Sequence, residues 1–312
     1  MNTLNRMATE LVDEAIDFAD ELTIDVHALE GDAAVLDFGV EVPGAVEAGL
    51  VLAELQTAGL ATVQTGMERV GDAPLTHVEL ATDHPALALL CSQKGGWELT
   101  TENFEGLGSG PARALVAEED IFGRIGYREE EQFAVLAVET DQLPDQAVAA
   151  QVAERTGVPE TGVFLPAFAT ASVTGSVVSA ARAAELAVFR LAELGYDPAE
   201  VLSANGRAPV APVAADEASA MARTTDALAY GSEVHLTVDE PVDDIDVDEI
   251  PSVAGAEYGR PLEGVFEDVD WAFAELPVEL FGPAKVTVDV VGGDTHVVGE
   301  TSGDVLAESF GL

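Results

Sequence analysis

The stretch TGSVVSAARAAELAVFRLAELG, Thr174–Gly195, predicts the strongest helix of this 312-residue chain and indicates its fold class. Its Ala, Leu, Glu and Arg residues favour a helix, and Gly195 lies where helices commonly end. The extended stretch VFLPAFAT, Val163–Thr170, precedes it, and EVHLTVDE, Glu233–Glu240, follows with the alternation of a strand. Strands and helices that alternate in this way predict an α/β (α+β) fold.

Other segments repeat the two patterns towards both ends of the chain. We predict further helices over residues 2–22, 45–57 and 146–157, a buried strand over 133–140, and β-hairpins over 23–40 and 284–300. The similar hairpins near the two ends indicate that both termini contribute to one domain. Together with a length typical of about two domains, this predicts a first domain of residues 1–90 plus 263–312 and a second of residues 91–262.

Acidic residues dominate the composition, with 58 Asp and Glu against 13 Lys and Arg, a formal net charge of −45 and 48% hydrophobic residues. The apolar content excludes intrinsic disorder, because disordered acidic chains are also poor in apolar residues. At molar salt the Debye length falls to about 3 Å, and the self-repulsion of such a chain is screened. We therefore expect a cytoplasmic protein of an extreme halophile; an unusually acidic mesophilic protein is the alternative.

The same charge excludes several classes of partner. Nucleic acid requires clustered Lys and Arg, and an anionic membrane surface is disfavoured for the same reason. No stretch approaches the roughly 18 consecutive apolar residues of a membrane span, and the first residues lack the apolar core of a signal peptide. The single cysteine, Cys91, cannot form an intrachain disulfide. We expect neither nucleic acid nor membrane as a partner.

We also predict no metal site. The five histidines lie in separate segments without HExxH spacing. The acidic stretch 239–249 is not a calcium loop, because Glu249 replaces the required glycine and Gly255 occupies the closing position. Ser109 and Ser176 lie near glycines but not in a Gly-x-Ser-x-Gly elbow, so a serine hydrolase is unsupported.

The few cations are candidate ligand-binding residues, because a chain biased against basic residues keeps each one for a reason. Lys94 lies in CSQKGGW and Arg223 in MARTTDALAYGS. Arg113 lies in GSGPARAL, where a glycine-rich loop leads into a helix whose first N–H groups suit an anion. Several such cations would suit a multiply anionic ligand. Pairing with the abundant carboxylates, and a structural turn in the glycine-rich segment, are the alternatives.

Arg182 and Glu185 form the sharpest candidate pair. Their i,i+3 spacing places both side chains on one face of the predicted helix. The arginine would hold the glutamate ionised, and an oriented carboxylate can position a water molecule and accept its proton. An ordinary surface ion pair, worth under about 1 kcal/mol, is the alternative that the spacing alone favours. The surrounding Ala, Val and Ser residues indicate that the helix is covered.

Taken together, these segments resemble one family, the archaeal methenyltetrahydromethanopterin cyclohydrolases. The matching stretches are VLDFGVEVPGAVEAG, CSQKGGW, GSGPARAL, GRIGYRE, TGSVVSAARAAELAVFRLAELGYD, NGRAPVAPVAADEASAMARTTDALAYG and ELFGPAKVTVDV. None is diagnostic by itself, but their order and spacing across nearly the full chain make the match specific. Departures from the family are mostly substitutions toward Asp, Glu, Ala and Val.

The resemblance implies a reaction in one-carbon metabolism, the reversible hydrolysis of N5,N10-methenyl-tetrahydromethanopterin to the N5-formyl compound. The family's catalytic Arg and Glu fall in the segment SAARAAE and map to Arg182 and Glu185. Glu185 would orient and deprotonate the attacking water, and Arg182 would hold Glu185. The amidinium carbon is already electrophilic, so no metal or organic cofactor is expected. The substrate's tail bears phosphate and carboxylates, for which Lys94, Ser109, Arg113 and Arg223 are the expected binding residues.

The resemblance also implies two α/β domains with the pocket between them, and a homo-oligomer, commonly a trimer. Two other functions stay open. One is a catalytically silent pterin-binding protein on the same fold, against which the presence of both Arg182 and Glu185 argues. The other is a cyclohydrolase acting on a tetrahydrofolate carrier, because that choice rests on pocket contacts that the sequence does not place.

Overall fold

The structure, a computed structural model, describes residues 3–269, 271 and 277–312. The chain forms two compact units, each built of one β-sheet with helices. Unit 1 contains the chain up to Thr62 together with Leu87–Val178, and unit 2 contains Val63–Ala86 together with Ser179–Leu312. The α/β fold class predicted from the sequence is confirmed.

The strands of the described residues are β1 (Asp25–Ala28), β2 (Ala34–Gly39), β3 (Thr62–Val70), β4 (Ala73–Thr82), β5 (Gly95–Thr100), β6 (Glu105–Ser109), β7 (Ala134–Val135), β8 (Ala137–Glu139), β9 (Val163–Phe168), β10 (Val201–Pro209), β11 (Glu233–Val238), β12 (Lys285–Val290) and β13 (Thr295–Gly299). The helices are α1 (Leu4–Asp17), α2 (Ala19–Leu22), α3 (Val46–Gln56), α4 (Arg113–Val116), α5 (Asp120–Ile125), α6 (Gln146–Thr156), α7 (Val173–Ala180), α8 (Ala183–Glu193), α9 (Glu217–Gly231), α10 (Leu262–Asp268) and α11 (Gly303–Phe310). A π-helix spans Ala86–Gln93, and short 3₁₀ helices lie at Glu160–Gly162, Pro198–Glu200, Val247–Glu249, Ser252–Ala254 and Val278–Phe281.

Unit 1 is a sheet of seven strands, ordered β1-β2-β9-β8-β6-β5 with β7 also paired to β9. Strands β7 and β9 are apolar throughout because both faces of the sheet are covered. On one face Leu36 and Phe38 of β2 join a core with α1 and α3. On the other face Val163 and Leu165 of β9 join a second core with α6.

Unit 2 is a sheet of six strands, ordered β13-β12-β11-β10-β4-β3, in which β11 and β12 are parallel. Helices α8 and α9 contact β10, and α8 also contacts β11. The strands alternate accordingly: Val234 and Leu236 of β11 are buried, whereas His235 between them is exposed. No helix in the described part of the chain is long and apolar enough to cross a membrane.

The two compact units do not coincide with the domain borders predicted from the sequence, 1–90 plus 263–312 and 91–262. Residues 91–178 belong with the N-terminal segment because β9 pairs in parallel with β2. Residues 63–86 belong to unit 2, where β4 pairs with β10. Both predicted end hairpins form, as β1–β2 and β12–β13, but they lie in different sheets and so do not share a domain.

Two local predictions also differ from the structure. The predicted helix Thr174–Gly195 is interrupted between α7 and α8 at Arg182, whose N–H donates to Ser179 O at 3.1 Å in a tightened i−3 turn. The glycine-rich segment predicted to be a flexible loop contains strand β6, which pairs with β5 on one side and β8 on the other. The helix expected after it is the short α4.

Candidate functional site

The side chains of Arg182 and Glu185 form a close ion pair at the start of α8. Arg182 Nε and Nη2 donate to Glu185 Oε2 at 3.0 and 2.9 Å. The Glu185 side chain is only 2% exposed, whereas that of Arg182 is 23% exposed. A charge-assisted double contact of this kind fixes the direction of the carboxylate. The pair is therefore not the solvated surface ion pair that the spacing alone favours.

Close packing of α8 on the sheet positions the pair. Gly206 of β10 lies against the first turn of α8, and a Cβ there would stand 2.6 Å from Ala184 N. Only glycine permits this approach, so the backbone that carries Glu185 is held directly on a strand. Ala183, Ala184, Ala187 and Val188 are buried on the same helix. The Glu185 carboxylate is thus carried by a helix that is packed directly against a strand.

The geometry leaves one carboxylate oxygen available for chemistry. The two hydrogen bonds that Arg182 donates to Glu185 both end on Oε2, and within the described residues no other donor contacts the Glu185 carboxylate. Oε1 can therefore accept a hydrogen bond from a water molecule while Oε2 stays anchored. A carboxylate whose direction is fixed by a neighbouring guanidinium is able to act as a general base.

Lys94 and Arg113 of unit 1 meet at a single carboxylate, Glu119. Lys94 Nζ lies 2.9 Å from Glu119 Oε2, and Arg113 Nε and Nη2 lie 2.8 and 2.6 Å from Oε1. Burial of the Glu119 carboxyl raises its pKa, but the nearby charges and hydrogen bonds of Arg113 and Lys94 outweigh burial, so the pKa is lowered overall. Glu119 is thus held ionised between two cations.

Arg113 also holds the end of the π-helix. Its Nη1 donates to Leu90 O and Ser92 O, both at 3.1 Å, and its side chain is 2% exposed. The guanidinium lies over the Phe122 ring, 5.4 Å from the ring centroid. With these contacts and its bonds to Glu119, Arg113 is engaged by the interior of unit 1, whereas Lys94 keeps 18% of its side chain exposed.

Ser109, at the end of β6, is buried beside the same π-helix. Its hydroxyl accepts a hydrogen bond from Gln56 Nε2 at 2.8 Å, and Ser92 Oγ donates to Gln56 O at 2.5 Å. Gly110 N donates to Ser92 O at 2.8 Å. These bonds connect α3, β6 and the segment that leads to Lys94, so three of the predicted binding residues belong to one local network in unit 1.

Arg223 lies in unit 2 on α9 and is half-buried. Among the residues that the structure describes, no carboxylate forms an ion pair with it. It lines a cavity of about 380 Å³ together with residues of α10 and α11. The structure thus places Arg223 in a concave surface whose described lining does not include Arg182 or Glu185.

A family model described as Cyclohydrolase (MCH) matches residues 3–310. The chain belongs to this cyclohydrolase family. A methenyltetrahydromethanopterin cyclohydrolase of Halobacterium salinarum is 57% identical over 312 residues, with 100% of both chains covered. Relatives of the same name from Methanocella arvoryzae and Methanospirillum hungatei are 38% and 35% identical over 100% of this chain and 99% of each relative. The family expected from the sequence motifs is confirmed, and the Halobacterium relative fits the halophilic interpretation.

Sequence reasoning missed Glu119 and Gln56 in this cyclohydrolase. Glu119 is one of 58 acidic residues and stands in the run EED, where nothing marks it as different from its neighbours. Gln56 contacts residues more than thirty positions away, so no local pattern could have indicated its role. Among the described residues, no group of three or more His, Cys, Asp and Glu side chains is placed to hold a metal ion.

Proposed function

We propose that this protein is a methenyltetrahydromethanopterin cyclohydrolase that interconverts N5,N10-methenyl- and N5-formyl-tetrahydromethanopterin. The observation that carries the proposal is the Arg182–Glu185 ion pair, with its buried carboxylate, in a chain that belongs to the cyclohydrolase family along its length. The relatives' names supply the substrate class. The geometry of the pair supplies a base for the water that the reaction consumes.

In the first step, water adds to the amidinium carbon between N5 and N10. Glu185 Oε1 orients the water and takes one of its protons as the oxygen–carbon bond forms, because Oε2 is occupied by Arg182. The product of this step is a neutral tetrahedral adduct that carries one hydroxyl group. Arg182 keeps the carboxylate directed through both its Nε and Nη2 contacts, and is therefore a positioning residue for the base.

In the second step, the tetrahedral adduct opens. The bond between the carbon and N10 breaks, N10 receives the proton held by Glu185, and the hydroxyl oxygen becomes the formyl carbonyl as its proton is released. The sum is the methenyl cation plus water giving the formyl compound plus one proton. Because the reacting carbon is electrophilic from the start, we expect the reaction to proceed without a metal or an organic cofactor.

The four residues expected to bind the substrate are proposed to have two different roles. Lys94 and Arg223 are partly exposed cations suited to anionic groups of the substrate. Arg113 and Ser109 are buried and bonded internally, so we assign them to supporting the segment that carries Lys94. We further propose a homotrimer on the family resemblance; light scattering in molar KCl would then give about three times the 32.4 kDa of one chain.

The decisive experiment is a direct assay of turnover. The purified protein is incubated in molar KCl with methenyl-tetrahydromethanopterin and, separately, with methenyl-tetrahydrofolate, and loss of the methenyl chromophore is compared with the uncatalysed rate. We expect strong acceleration with the methanopterin compound. Acceleration with the folate compound alone would reassign the carrier, and no acceleration with either would overturn the proposed function.

A further inference from the structure

The described residues that line the cavity containing Arg223 all belong to unit 2, and they come from α9, the segment that leads into α10, the first turn of α10, and α11. Its volume of about 380 Å³ is at the lower end of the range for small-ligand sites. Its charged and hydroxyl-bearing lining residues are Arg223, Arg260, Glu263, Glu308 and Ser309. The cavity is thus sized for a small polar molecule.

Arg223 stands out among the cations of the lining. Arg260 is already paired, with Glu257 Oε2 at 2.9 Å and Asp268 Oδ2 at 2.7 Å. Within the described residues no ion pair engages the Arg223 guanidinium, although the chain has 58 acidic residues and 13 basic ones. A half-buried guanidinium that none of the described carboxylates engages presents a planar set of N–H donors, which suits the two oxygens of a carboxylate or phosphate.

Hydrogen bonds and apolar packing hold together the three helices that line the cavity. Asp226, one turn after Arg223 on α9, is completely buried and accepts hydrogen bonds from Leu262 N at 3.0 Å and Ser309 Oγ at 2.6 Å. These bonds tie α9 to the start of α10 and to α11. Apolar packing among the same three helices adds to this, through Tyr230, Leu262, Val265, Phe266, Leu306 and Phe310. A site fixed in this way needs little reorganisation on binding.

Two carboxylates of the cavity lining add a second chemical requirement on the ligand. Glu263 and Glu308 are exposed carboxylates on the cavity lining, and carboxylates are hydrogen-bond acceptors only. They disfavour a densely charged polyanion and favour hydroxyl donors. We propose that the Arg223 cavity binds a small molecule in which one phosphate or carboxylate group is attached to a hydroxyl-bearing chain, with the anion on Arg223 and the hydroxyls toward the two glutamates.

Glycerol 3-phosphate is the probe that tests this site, with inorganic phosphate as the simpler anion. Binding is measured by titration calorimetry in molar KCl, with the full-length protein and without any turnover. We expect saturable binding of glycerol 3-phosphate, tighter than that of phosphate, and a loss of about tenfold or more with Arg223→Gln. Arg223→Lys keeps the charge and should retain part of the affinity. Arg128→Gln, which removes an exposed arginine of unit 1, should bind as the unaltered protein does.

No saturable binding of either probe, or equal binding by Arg223→Gln, would overturn the proposed site. A second arm identifies the natural source of the anion. If glycerol 3-phosphate raises KM for the methenyl substrate without changing kcat, the cavity receives the anionic tail of that substrate. If it binds without competing, the occupant is a free hydroxylated phosphate or carboxylate. Only the competition arm rests on the proposed cyclohydrolase activity, so failure of that activity would leave the binding result intact.

Discussion

Arg182 directs two hydrogen bonds to a single oxygen of Glu185, Oε2, from Nε at 3.0 Å and from Nη2 at 2.9 Å. A symmetric fork-to-fork pair would instead occupy both carboxylate oxygens. The asymmetric contact anchors the side chain and leaves Oε1 for another hydrogen-bonding partner. A carboxylate that activates water requires one oxygen that is held in place and one that can accept a hydrogen bond from the water.

We expect Glu185→Gln to lower kcat by roughly 10²- to 10⁴-fold, because the amide cannot accept the proton of the attacking water. KM should change little, since the side chain keeps its size and its bond from Arg182. Glu193→Gln is the matched control, because Glu193 is exposed at the end of the same helix. Stopped-flow loss of the methenyl chromophore measures both. A folded Glu185→Gln enzyme with full kcat would show that the base lies elsewhere.

Arg182→Gln should also lower kcat, because it releases the Oε2 anchor and lets the carboxylate turn away from the water. Residues that act as a unit give non-additive losses. We therefore expect the Arg182→Gln/Glu185→Gln double variant to be about as slow as Glu185→Gln alone. Independent, multiplying losses in the double-mutant cycle would contradict a positioning role for Arg182.

Arg113 and Lys94 share Glu119, yet their removal should have different consequences. Arg113→Ala would remove the donor to the buried Leu90 O and to the partly exposed Glu119 carboxylate, and we expect a loss of about 3 kcal/mol or more in the free energy of unfolding. Lys94→Ala should cost under about 1 kcal/mol and act mainly on KM. Urea unfolding in molar KCl together with steady-state kinetics separates the two. A stable Arg113→Ala variant with a raised KM would make Arg113 a substrate ligand instead.

The parts of the fold that sequence patterns predicted are the local ones. The hairpins β1–β2 and β12–β13 follow from alternation on either side of a turn, and both form. Parallel pairing of β2 with β9 joins segments more than a hundred residues apart. Nothing in the alternation of either strand specifies its distant partner, so the domain borders could not be obtained from periodicity.

The same distinction applies to the candidate site. Arg182 and Glu185 are three residues apart, so helical spacing alone placed them on one face, even though the helix is interrupted at Arg182. The burial of the Glu185 side chain was not predictable from spacing, because it depends on how α8 packs on the sheet, where Gly206 of β10 lies against Ala184. The role of Glu119 depends on two cations that reach it from different elements.

Asp226 should make unfolding depend on pH in an unusual direction. Burial raises the pKa of its carboxyl from the ordinary 3.8 to about 7, against the opposing hydrogen bonds from Ser309 and Leu262. Between these pH values the folded protein binds more protons than the unfolded chain, so this group lowers the free energy of unfolding as pH rises toward about 7. Asp226→Asn imitates the protonated carboxyl and should remove that dependence.

Urea midpoints at several pH values from 5 to 8, at constant KCl, measure the effect. The stability of Asp226→Asn relative to the unaltered protein should increase with pH and level off above about 7. Asp243→Asn, at an exposed aspartate, should show a constant difference. The same difference for Asp226→Asn at pH 5 and pH 8 would contradict the raised pKa.

The net charge of −45 should make stability strongly dependent on salt. At about 0.01 M ionic strength the Debye length is about 30 Å, so carboxylates across a whole unit repel one another, whereas at 1 M it is about 3 Å. We expect Tm and activity to fall steeply as KCl is diluted.

Asp243, Asp244 and Asp248 are exposed in one acidic segment, and the triple substitution to Asn should lower the KCl concentration needed for half-maximal stability. Because the substitutions leave the buried cores unchanged, such a shift would reflect charge repulsion and not a general salting-out of apolar surface. A Tm that is the same in dilute buffer and in molar KCl would contradict the halophilic interpretation.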